Sequence, residues 1–354
     1  MKKRLIANSL LHWYEQNKRT LPWRDQHDPY IVWLSEIILQ QTRVEQGMPY
    51  FMVFSQKFPT VHDLASADIE VVLRAWQGLG YYSRARNMHK CAQIIVYELD
   101  GVFPSQKNEL EKLPGIGSYT AAAIASLAFG RREAVVDGNV MRVISRLYGI
   151  LDDISANKTV KTIQQIADAT IPAHRPDLFN QAIMEFGALH CTPKKPQCQT
   201  CVLAEVCMAR QTQNVSNIPY KKAKIKKKDR FFAYFIINIH GRYLMRKRVA
   251  KDIWFGLFEF FLIESSINLP FDELILPEVL TKHPDRFVIG AVSDPFKHQL
   301  THQTIYCTFH EIEMSDNVTF EAGDWPGYAL YSPDQIHKLP KSILIDRYWG
   351  KKIN

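Results

Sequence analysis

Leu113-Pro114-Gly115-Ile116-Gly117 is the segment that decides the fold of the N-terminal part of the chain. It lies between two stretches with helical patterning, and one apolar residue separates its two glycines. Such glycines permit a tight turn whose backbone N–H groups point outward, and the helix that follows adds a partial positive charge at its N-terminus. A turn of this kind can hold a phosphate without any sequence preference. Glycine and proline occur in many helix connections, so the segment alone is a weak signal.

A second segment, Val135-Val136-Asp137-Gly138-Asn139-Val140, follows the turn after one predicted helix. Its apolar run ends at Asp137, which lies at the start of another predicted helix. The dipole of that helix is expected to keep the carboxylate ionised. The simpler interpretation is an ordinary N-cap, which is the commonest role of aspartate at that position. From these residues alone, both interpretations stay open.

The patterning changes once along the chain. From residue 28 to about 210 it is helical, with start signals such as Asp28-Pro29. After Lys221–Arg230, which carries seven positive charges and one negative charge, it becomes that of strands, as in Phe231–Ile239. The charged segment is either a solvated tether or a second contact to phosphates. The chain is therefore predicted to be multidomain, with an all-α core at 1–215, a basic linker at 216–230 and an α+β domain at 231–354.

The composition favours a nucleic-acid partner. The chain has 354 residues, 46% of them apolar, which is enough for a core in each of two or three domains, and its net charge is +8. The charge favours an acidic partner, of which nucleic acid is the commonest, although simple solubility would also explain it. The N-terminus shows no export signal, and no window approaches the roughly 18 apolar residues of a membrane span. We expect an intracellular monomer in the cytoplasm or nucleoid, with no membrane partner.

The turn, the Asp137 segment and a later cysteine cluster resemble the endonuclease III and MutY superfamily of helix-hairpin-helix DNA glycosylases. The resemblance covers residues 1 to about 215. It implies that Gly115 and Gly117 let the DNA backbone come close. It also implies that Asp137 stabilises the positive charge that develops on the sugar as the base departs, and that Asn139 supports the same centre.

Glu36 is the one acid inside the strongly apolar segment Trp33–Thr42. A carboxyl group there loses hydration, which raises its pKa and tends to keep it protonated. Periodicity alone favours a surface glutamate on the polar side of a helix. However, Trp-Leu-Ser-Glu with Leu-Gln-Gln-Thr resembles the adenine glycosylases of the superfamily, in which the matching glutamate is the catalytic acid. The resemblance implies that Glu36 protonates adenine and later activates water.

Tyr119 lies two residues past the second glycine of the turn. In the bifunctional relatives this position holds a lysine that attacks the sugar, which tyrosine cannot do. Lys112 lies outside the nucleophile position of the motif. The sequence therefore predicts a monofunctional glycosylase, and the resemblance implies that Tyr119 helps to hold Asp137 and the flipped nucleotide.

A glycosylase must extrude its target base, and other side chains fill the gap that remains. The glycine-hinged loop Gln77–Tyr82 ends in two aromatic residues, which in other contexts are more often part of a core. The resemblance implies that Tyr81 is the intercalating wedge and that Gln41 is its partner near the damaged guanine. It also implies that Trp23 and Arg24 contact the adenine.

Four cysteines lie close together and two stand alone, at Cys91 and Cys307. Without an export signal, such a cluster indicates a metal site rather than disulfides. Zinc would be chemically reasonable, but the spacing matches the 4Fe-4S cluster of the superfamily. In that interpretation the loop presents Lys194 and Lys195 to DNA phosphates, and the cluster is held by Cys191, Cys198, Cys201 and Cys207.

The C-terminal part resembles the Nudix-like recognition domain of the same adenine glycosylases, for example at Trp254–Phe260. It contains no Nudix hydrolase box with its paired acids, so diphosphate hydrolysis is not expected. Many relatives read 8-oxoguanine with a Phe-Ser-His loop, and Leu300-Thr301-His302 takes its place here. Thr301 keeps a hydroxyl, whereas Leu300 lacks the ring. The competing alignment, on Phe296-Lys297-His298, fits the following strand less well.

These expectations combine into one function and two rivals. We predict an adenine glycosylase that acts on double-stranded DNA in which adenine is mispaired with 8-oxoguanine or guanine. One rival is a bifunctional pyrimidine glycosylase and lyase of the endonuclease III type. The other is a non-catalytic DNA-binding protein that uses the turn and the cluster only as a scaffold.

Overall fold

The computed structural model describes residues 2–222, 227–270, 273–274, 276, 278–281 and 284–353. Residues 223–226 of the predicted basic linker lie outside the described residues. The chain divides into two compact units. The first, here called the helical unit, is formed by Met1–Ser66 and Asn87–Ala223. The second, here called the sheet unit, is formed by Ala67–Arg86 and Lys224–Asn354.

The N-terminal part of the chain is built from helices, as the sequence predicts. One of them, α5 (Ile69–Ala75), belongs to the sheet unit, and α6 (Ser83–Glu98) begins there. The others are α1 (Lys2–Asn17), α2 (Pro29–Leu39), α3 (Val44–Lys57), α4 (Val61–Ser66), α7 (Lys107–Leu110), α8 (Ser118–Leu127), α9 (Gly138–Tyr148), α10 (Asn157–Thr170), α11 (Pro176–Leu189) and α12 (Met208–Gln211). No helix in the described ranges is long and apolar enough to cross a membrane.

The predicted helix start at Asp28-Pro29 is confirmed. The Asp28 side chain accepts a hydrogen bond from the Tyr30 N–H, and Pro29 is the first residue of α2. Gly149 ends α9 with a φ of 66°, a left-handed conformation that glycine adopts without steric cost. Apolar faces of α1, α9, α10 and α11 pack together into a core of the helical unit.

The helix that carries Glu36 is apolar around most of its circumference. The buried residues of α2 are Tyr30, Val32, Trp33, Leu34, Ser35, Ile37 and Ile38. A helix that is apolar on nearly every side belongs in the interior. Glu36 is therefore a carboxyl group on a buried helix, and it needs a cavity or a partner.

The sheet unit holds a mixed sheet of seven strands among the described residues: β1 (Lys228–Ile239), β2 (Arg242–Lys247), β3 (Phe258–Ser265), β4 (Phe287–Val292), β5 (Phe296–Gln299), β6 (Gln303–Met314) and β7 (Tyr328–Tyr331). The order is β4-β6-β1-β3-β2-β7, and β5 pairs with β6. Strands β1 and β6 run parallel, and the other pairs are antiparallel.

Both faces of this sheet are covered, which explains why β1 is apolar almost throughout. Successive side chains of a strand point to opposite faces. Phe232, Tyr234 and Ile236 accordingly join one core, and Phe235 and Ile237 join the other. The first core is completed by side chains from α14 (Pro333–Lys338) and α15 (Ile343–Ile353), and the short helix α13 (Glu278–Thr281) adds Leu280 to the second.

Candidate active site

A cavity of about 200 Å³ opens among the helices of the helical unit and is here called the helical cavity. Residues from α2, α8, α9 and α11 contribute to its wall, together with the loop before α2. It brings together six of the predicted site residues, namely Trp23, Arg24, Glu36, Tyr119, Asp137 and Asn139. The interpretation of Glu36 as a surface glutamate is therefore wrong.

Glu36 has the proton affinity that an acid working near neutral pH requires. Its burial raises the pKa of the carboxyl to about 7. A hydrogen bond from the Tyr119 hydroxyl to Glu36 Oε2, 2.6 Å long, opposes this shift, and the nearby Asp137 carboxylate adds to it. Because burial outweighs the hydrogen bond, the Glu36 carboxyl can gain or lose a proton near neutral pH.

Tyr119 interacts with a different acid from the one that the resemblance implied. Its hydroxyl donates to Glu36 rather than to Asp137. Burial raises the pKa of Tyr119 well above its ordinary value, and the neighbouring carboxylates raise it further. The phenol therefore stays protonated and acts as a hydrogen-bond donor at this centre.

Asp137 is both a helix cap and a member of the cavity wall. Its Oδ1 accepts a 2.7 Å hydrogen bond from the Val140 N–H at the start of α9, and its Oδ2 accepts a 2.7 Å bond from the Asn139 amide. Burial raises the pKa of Asp137, whereas these hydrogen bonds and the charge of Arg142 lower it. The expectation that the helix terminus alone sets the charge of Asp137 is therefore incomplete, because desolvation acts in the opposite direction and is the larger effect.

A chain of hydrogen bonds leads from Asp137 to the cysteine loop. Asn139 Nδ2 donates to Asp137 Oδ2, and the side-chain oxygen of Asn139, Oδ1, accepts a 2.9 Å bond from Arg142 Nη2. Arg142 Nε then donates to the carbonyl oxygen of Cys191 across 2.8 Å. The position of the Asp137 carboxylate thus depends on how the loop that begins at Cys191 is folded.

Sequence reasoning missed a buried ion cluster beside the predicted adenine contacts. Glu185 is 1% exposed and receives two-pronged hydrogen bonds from both Arg19 and Arg24. Burial raises the pKa of Glu185, but the bonds from the two arginines outweigh burial and hold the pKa at about 2. All three side chains line the helical cavity. The available signal was the single acid in the segment Phe179–Leu189, a pattern that is also present around Glu36.

The glycine turn has the geometry that phosphate binding requires. Gly115 has a φ of 78°, and a Cβ there would lie 2.8 Å from Asn87 Cβ, so only glycine fits. Gly117 is exposed, and a Cβ there would meet no atom within 4 Å. No side chain caps the N-terminus of α8, which begins at Ser118. The N–H groups of its first turn can therefore donate to an anion.

The cysteine loop has the donor set of a thiolate-bound cluster. Cys191, Cys201 and Cys207 pack against the core of the helical unit. Burial raises the pKa of the Cys201 thiol, and the neighbouring thiols, Cys198 among them, raise it further. Arg146 Nη1 donates a hydrogen bond to Cys191 Sγ across 3.3 Å. Among the described residues, no three His, Cys, Asp or Glu side chains lie close enough together to hold a single metal ion. A cluster of several iron atoms spans more widely spaced sulfur atoms.

The side chains that this loop was predicted to present to DNA, Lys194 and Lys195, are exposed. Gln41 is also exposed, at the end of α2, with a φ of 56°. It does not line the helical cavity, unlike Trp23 and Arg24.

In the sheet unit, the predicted wedge and the predicted base reader lie together. The Tyr81 side chain is 46% exposed, and its hydroxyl is hydrogen-bonded to the Thr301 hydroxyl. Leu300-Thr301-His302 forms the turn between β5 and β6, closed by a 2.8 Å bond from the Leu300 N–H to the Gln303 carbonyl. By contrast, Phe296-Lys297-His298 is paired with β6 along its length. Only the first triplet is therefore a loop.

Three family models match the chain. The HhH-GPD superfamily base excision DNA repair protein matches residues 34–169, and the NUDIX domain matches residues 232–351. The iron-sulfur binding domain of endonuclease III matches residues 191–207, which confirms the predicted iron–sulfur cluster.

The similar curated proteins include adenine DNA glycosylases. An adenine DNA glycosylase of Buchnera aphidicola subsp. Schizaphis graminum is 39% identical over 259 residues, which are 72% of this chain and 74% of that protein. An adenine DNA glycosylase of Homo sapiens is 47% identical over 215 residues, which are 58% of this chain and 39% of that protein. Among solved structures, a thermostable thymine-DNA glycosylase has a TM-score of 0.55 and 28% sequence identity, covering 60% of this chain and 97% of its own.

Proposed function

Because the chain belongs to the adenine DNA glycosylase family, we propose that it hydrolyses the N-glycosidic bond of adenine paired with 8-oxoguanine or with guanine in double-stranded DNA. The product strand keeps its backbone and carries an abasic site. The observation that carries the proposal is the pair of acids in the helical cavity: Glu36, whose pKa is raised to about 7, and Asp137, held by two hydrogen bonds.

Glu36 supplies the proton that makes adenine a good leaving group. It protonates a ring nitrogen of the flipped adenine, the bond between that base and C1′ breaks, and the bonding electrons leave with the base. Water then attacks C1′ and passes a proton to the Glu36 carboxylate, which restores the acid. The Tyr119 hydroxyl stabilises the intervening carboxylate through its 2.6 Å hydrogen bond.

Asp137 stabilises the positive charge that develops on the sugar during this reaction. A carboxylate at the cavity wall interacts strongly with a cation because little water screens the pair. The Asn139 amide and the Val140 N–H hold the carboxylate in one orientation. Trp23 and Arg24 line the same cavity and contact the adenine.

The enzyme is monofunctional. The lyase reaction of the bifunctional relatives needs a lysine whose amine attacks C1′ of the sugar. Among the described residues that line the helical cavity, none is a lysine. Lys112 is exposed, and the residue at the superfamily's nucleophile position is Tyr119. A phenol with a raised pKa cannot form the Schiff base of a lyase.

The sheet unit reads the base opposite the adenine. Tyr81 fills the gap in the duplex, and the Thr301 hydroxyl hydrogen-bonds the edge of the oxidised guanine. Gln41, in the helical unit, contacts the DNA near the damaged guanine. His302 is exposed on the same turn and reaches the DNA beside Thr301. Leu300, which stands where many relatives have an aromatic residue, packs against the core of the sheet unit.

The protein binds the phosphate backbone of DNA through contacts that do not depend on the base sequence. The turn at Gly115 and Gly117 holds a phosphate through backbone N–H groups, and Lys194 and Lys195 add positive charge. The four cysteines hold the 4Fe-4S cluster, which folds the loop that carries these lysines. All of these groups belong to one chain, and we propose that the enzyme acts as a monomer.

Strand cleavage after alkali tests the proposal. The wild-type protein is incubated with duplexes that pair adenine with 8-oxoguanine, guanine or thymine, and alkali then cleaves any abasic site. We expect cleavage opposite 8-oxoguanine and guanine and none opposite thymine. Equal cleavage of all three duplexes, or of none, would overturn the specificity. An abundant borohydride-trapped adduct between protein and DNA would instead support the lyase.

A further inference from the structure

The loop at 77–82, here called the wedge loop, carries the predicted wedge Tyr81 and is anchored at both ends within the sheet unit. At one end the Gln77 side-chain oxygen accepts a 3.2 Å hydrogen bond from the Lys341 N–H. At the other end the Tyr82 hydroxyl donates to the Lys341 carbonyl across 3.5 Å. Tyr82 is buried, whereas Tyr81 beside it is 46% exposed. These bonds fix the ends of the loop, and other contacts must fix the exposed wedge.

The backbone that carries the wedge is left-handed at two successive residues. The φ angles of Gly80 and Tyr81 are 73° and 49°. Glycine adopts this conformation without steric cost, but tyrosine does not. A left-handed residue other than glycine costs free energy and persists only where its surroundings fix it. Because this conformation sets the direction of the Tyr81 side chain, a residue that holds it acts on the wedge.

Arg84 contacts both the wedge and a buried tryptophan. The carbon of its guanidinium lies 5.0 Å from the centre of the Trp76 ring and 5.7 Å from the centre of the Tyr81 ring. Both distances fall within the roughly 6 Å over which an aromatic ring attracts a cation. Trp76 is 0% exposed, so its ring is a fixed surface. Trp76 therefore places the guanidinium, and the guanidinium contacts the wedge.

The same guanidinium is hydrogen-bonded to the backbone of the wedge loop. Its Nη2 donates to the carbonyls of Leu79 and Gly80, across 3.4 Å and 3.3 Å. The indole N–H of Trp76 donates to the Gly80 carbonyl as well, across 3.0 Å. Burial lowers the pKa of Arg84 to about 10, so the group stays charged at physiological pH. One planar cation thus joins the loop backbone, the Tyr81 ring and a buried ring.

We propose that Arg84 is a positioning residue for the wedge, which holds Tyr81 in the orientation that enters the duplex as the adenine leaves it. The inference rests on the proposed function, in which Tyr81 fills the gap. A wedge that is held in place before DNA binds avoids the entropy cost of ordering the loop during base flipping. Loss of Arg84 should therefore slow the reaction only where Tyr81 contributes to it.

A double-mutant cycle tests whether Arg84 acts through Tyr81. Single-turnover excision is measured on a duplex that pairs adenine with 8-oxoguanine, for the wild type, Arg84→Gln, Tyr81→Ala and the variant with both substitutions. Arg84→Gln alone should slow excision about tenfold, the loss expected for a cation–aromatic contact and its backbone bonds. In the Tyr81→Ala background the same change should alter the rate less than about twofold, because its target is gone.

Two further variants separate positioning from charge. Arg84→Lys keeps the positive charge but not the planar group, so it should be as slow as Arg84→Gln, and it carries the cycle if the glutamine variant does not fold. Lys90→Gln removes a positive charge from the exposed surface of the same helix, α6, and should excise adenine at the wild-type rate.

Fluorescence follows base flipping itself. The duplex carries 2-aminopurine beside 2′-fluoro-2′-deoxyadenosine, which resists hydrolysis because the fluorine destabilises the sugar cation. 2-Aminopurine fluoresces more strongly when its neighbour leaves the stack. At saturating protein, the wild type and Lys90→Gln should raise the fluorescence equally, and Arg84→Gln should raise it less. Weaker DNA binding would not explain that difference, because all of the DNA is bound.

Equal slowing by Arg84→Gln in both backgrounds would overturn the inference, because Arg84 would then act on folding or on DNA binding rather than on the wedge. A wild-type rate for Arg84→Lys would also overturn it, since a point charge would then suffice. Failure of the proposed function looks different, because the wild-type protein itself would release no adenine from this duplex.

Discussion

The Tyr119 hydroxyl donates a 2.6 Å hydrogen bond to Glu36 Oε2, and this bond joins the two residues that set the proton chemistry of the helical cavity. They lie 83 positions apart in the chain. The bond favours the charged form of Glu36, so it lowers a pKa that burial raises. The acid strength of Glu36 is therefore adjustable through its partner.

Tyr119→Phe should move the pH dependence of adenine excision to higher pH. In the wild type, Glu36 must be protonated, so the single-turnover rate constant should be level below about pH 7 and fall tenfold for each pH unit above it. Without the hydroxyl the carboxylate loses a stabilising bond, its pKa rises, and the fall begins at higher pH. A profile that stays in place, or moves to lower pH, would contradict the role of this bond.

Glu36→Gln should bind mismatched DNA and release almost no adenine. The amide is close in size to the carboxyl but cannot donate a proton to the base. Loss of a general acid costs about 10²- to 10⁴-fold in rate. Gel-shift binding and single-turnover excision measure the two properties separately. Glu98→Gln changes an exposed acid of α6 and should keep wild-type turnover. Near-normal excision by Glu36→Gln would rule out this acid.

Two substitutions of Asp137 should separate its two roles. Asparagine caps a helix about as well as aspartate, so Asp137→Asn should unfold like the wild type while losing the carboxylate that faces the sugar. Asp137→Ala loses the cap as well, at a cost of about 1 kcal/mol in the free energy of unfolding. Both should reduce the excision rate by at least 10²-fold. If Asp137→Asn were fully active, the cap would be the main role of this residue.

Glu185→Gln should destabilise the helical unit, because it leaves the charges of Arg19 and Arg24 without their buried partner. Breaking a buried ion pair in this way costs about 3–5 kcal/mol in the free energy of unfolding, measured by urea denaturation at pH 7. Glu15→Gln, at an exposed pair with Arg175, should change it by less than about 1 kcal/mol.

The same pair of proteins tests the pKa of Glu185. The pKa in the folded protein, about 2, lies below the ordinary value of 4.5, so the carboxylate stabilises the fold above about pH 4.5. This contribution is lost as the pH falls toward 2. The difference in unfolding free energy between wild type and Glu185→Gln should shrink over that interval, and a constant difference would contradict the ion cluster.

Purified protein should be yellow-brown and contain about four iron and four sulfide per chain. Cys198→Ser should lose iron, colour and mismatch binding together, because the loop that carries Lys194 and Lys195 depends on the cluster. Cys307→Ala changes a cysteine of β6 that is not part of the cluster motif, and this variant should keep its iron. A colourless protein with stoichiometric zinc would overturn the cluster.

Much of the architecture could be read from short segments. The period of the apolar residues separated the helical part from the strand-rich part, and the turn was visible because Gly115 has a left-handed backbone that favours glycine. The predicted superfamily, the class of enzyme, the iron–sulfur cluster and the Nudix-like domain are confirmed by the comparisons. Glu36 stood out because a single charge in an apolar helix needs an explanation.

Contacts between side chains from distant segments could not be predicted from the sequence. The hydrogen bond from Tyr119 to Glu36, the arginines that hold Glu185 and the raised pKa of Asp137 all depend on which side chains meet across the fold. The hydrogen bond from Arg230 to Asp252 likewise joins residues 22 positions apart. The sequence by itself determined where helices, strands and the glycine turn form, because backbone sterics and apolar periodicity act over a few residues. Only the tertiary structure decided the proton affinity of each acid, because burial and partner charges are set by residues far away in the chain.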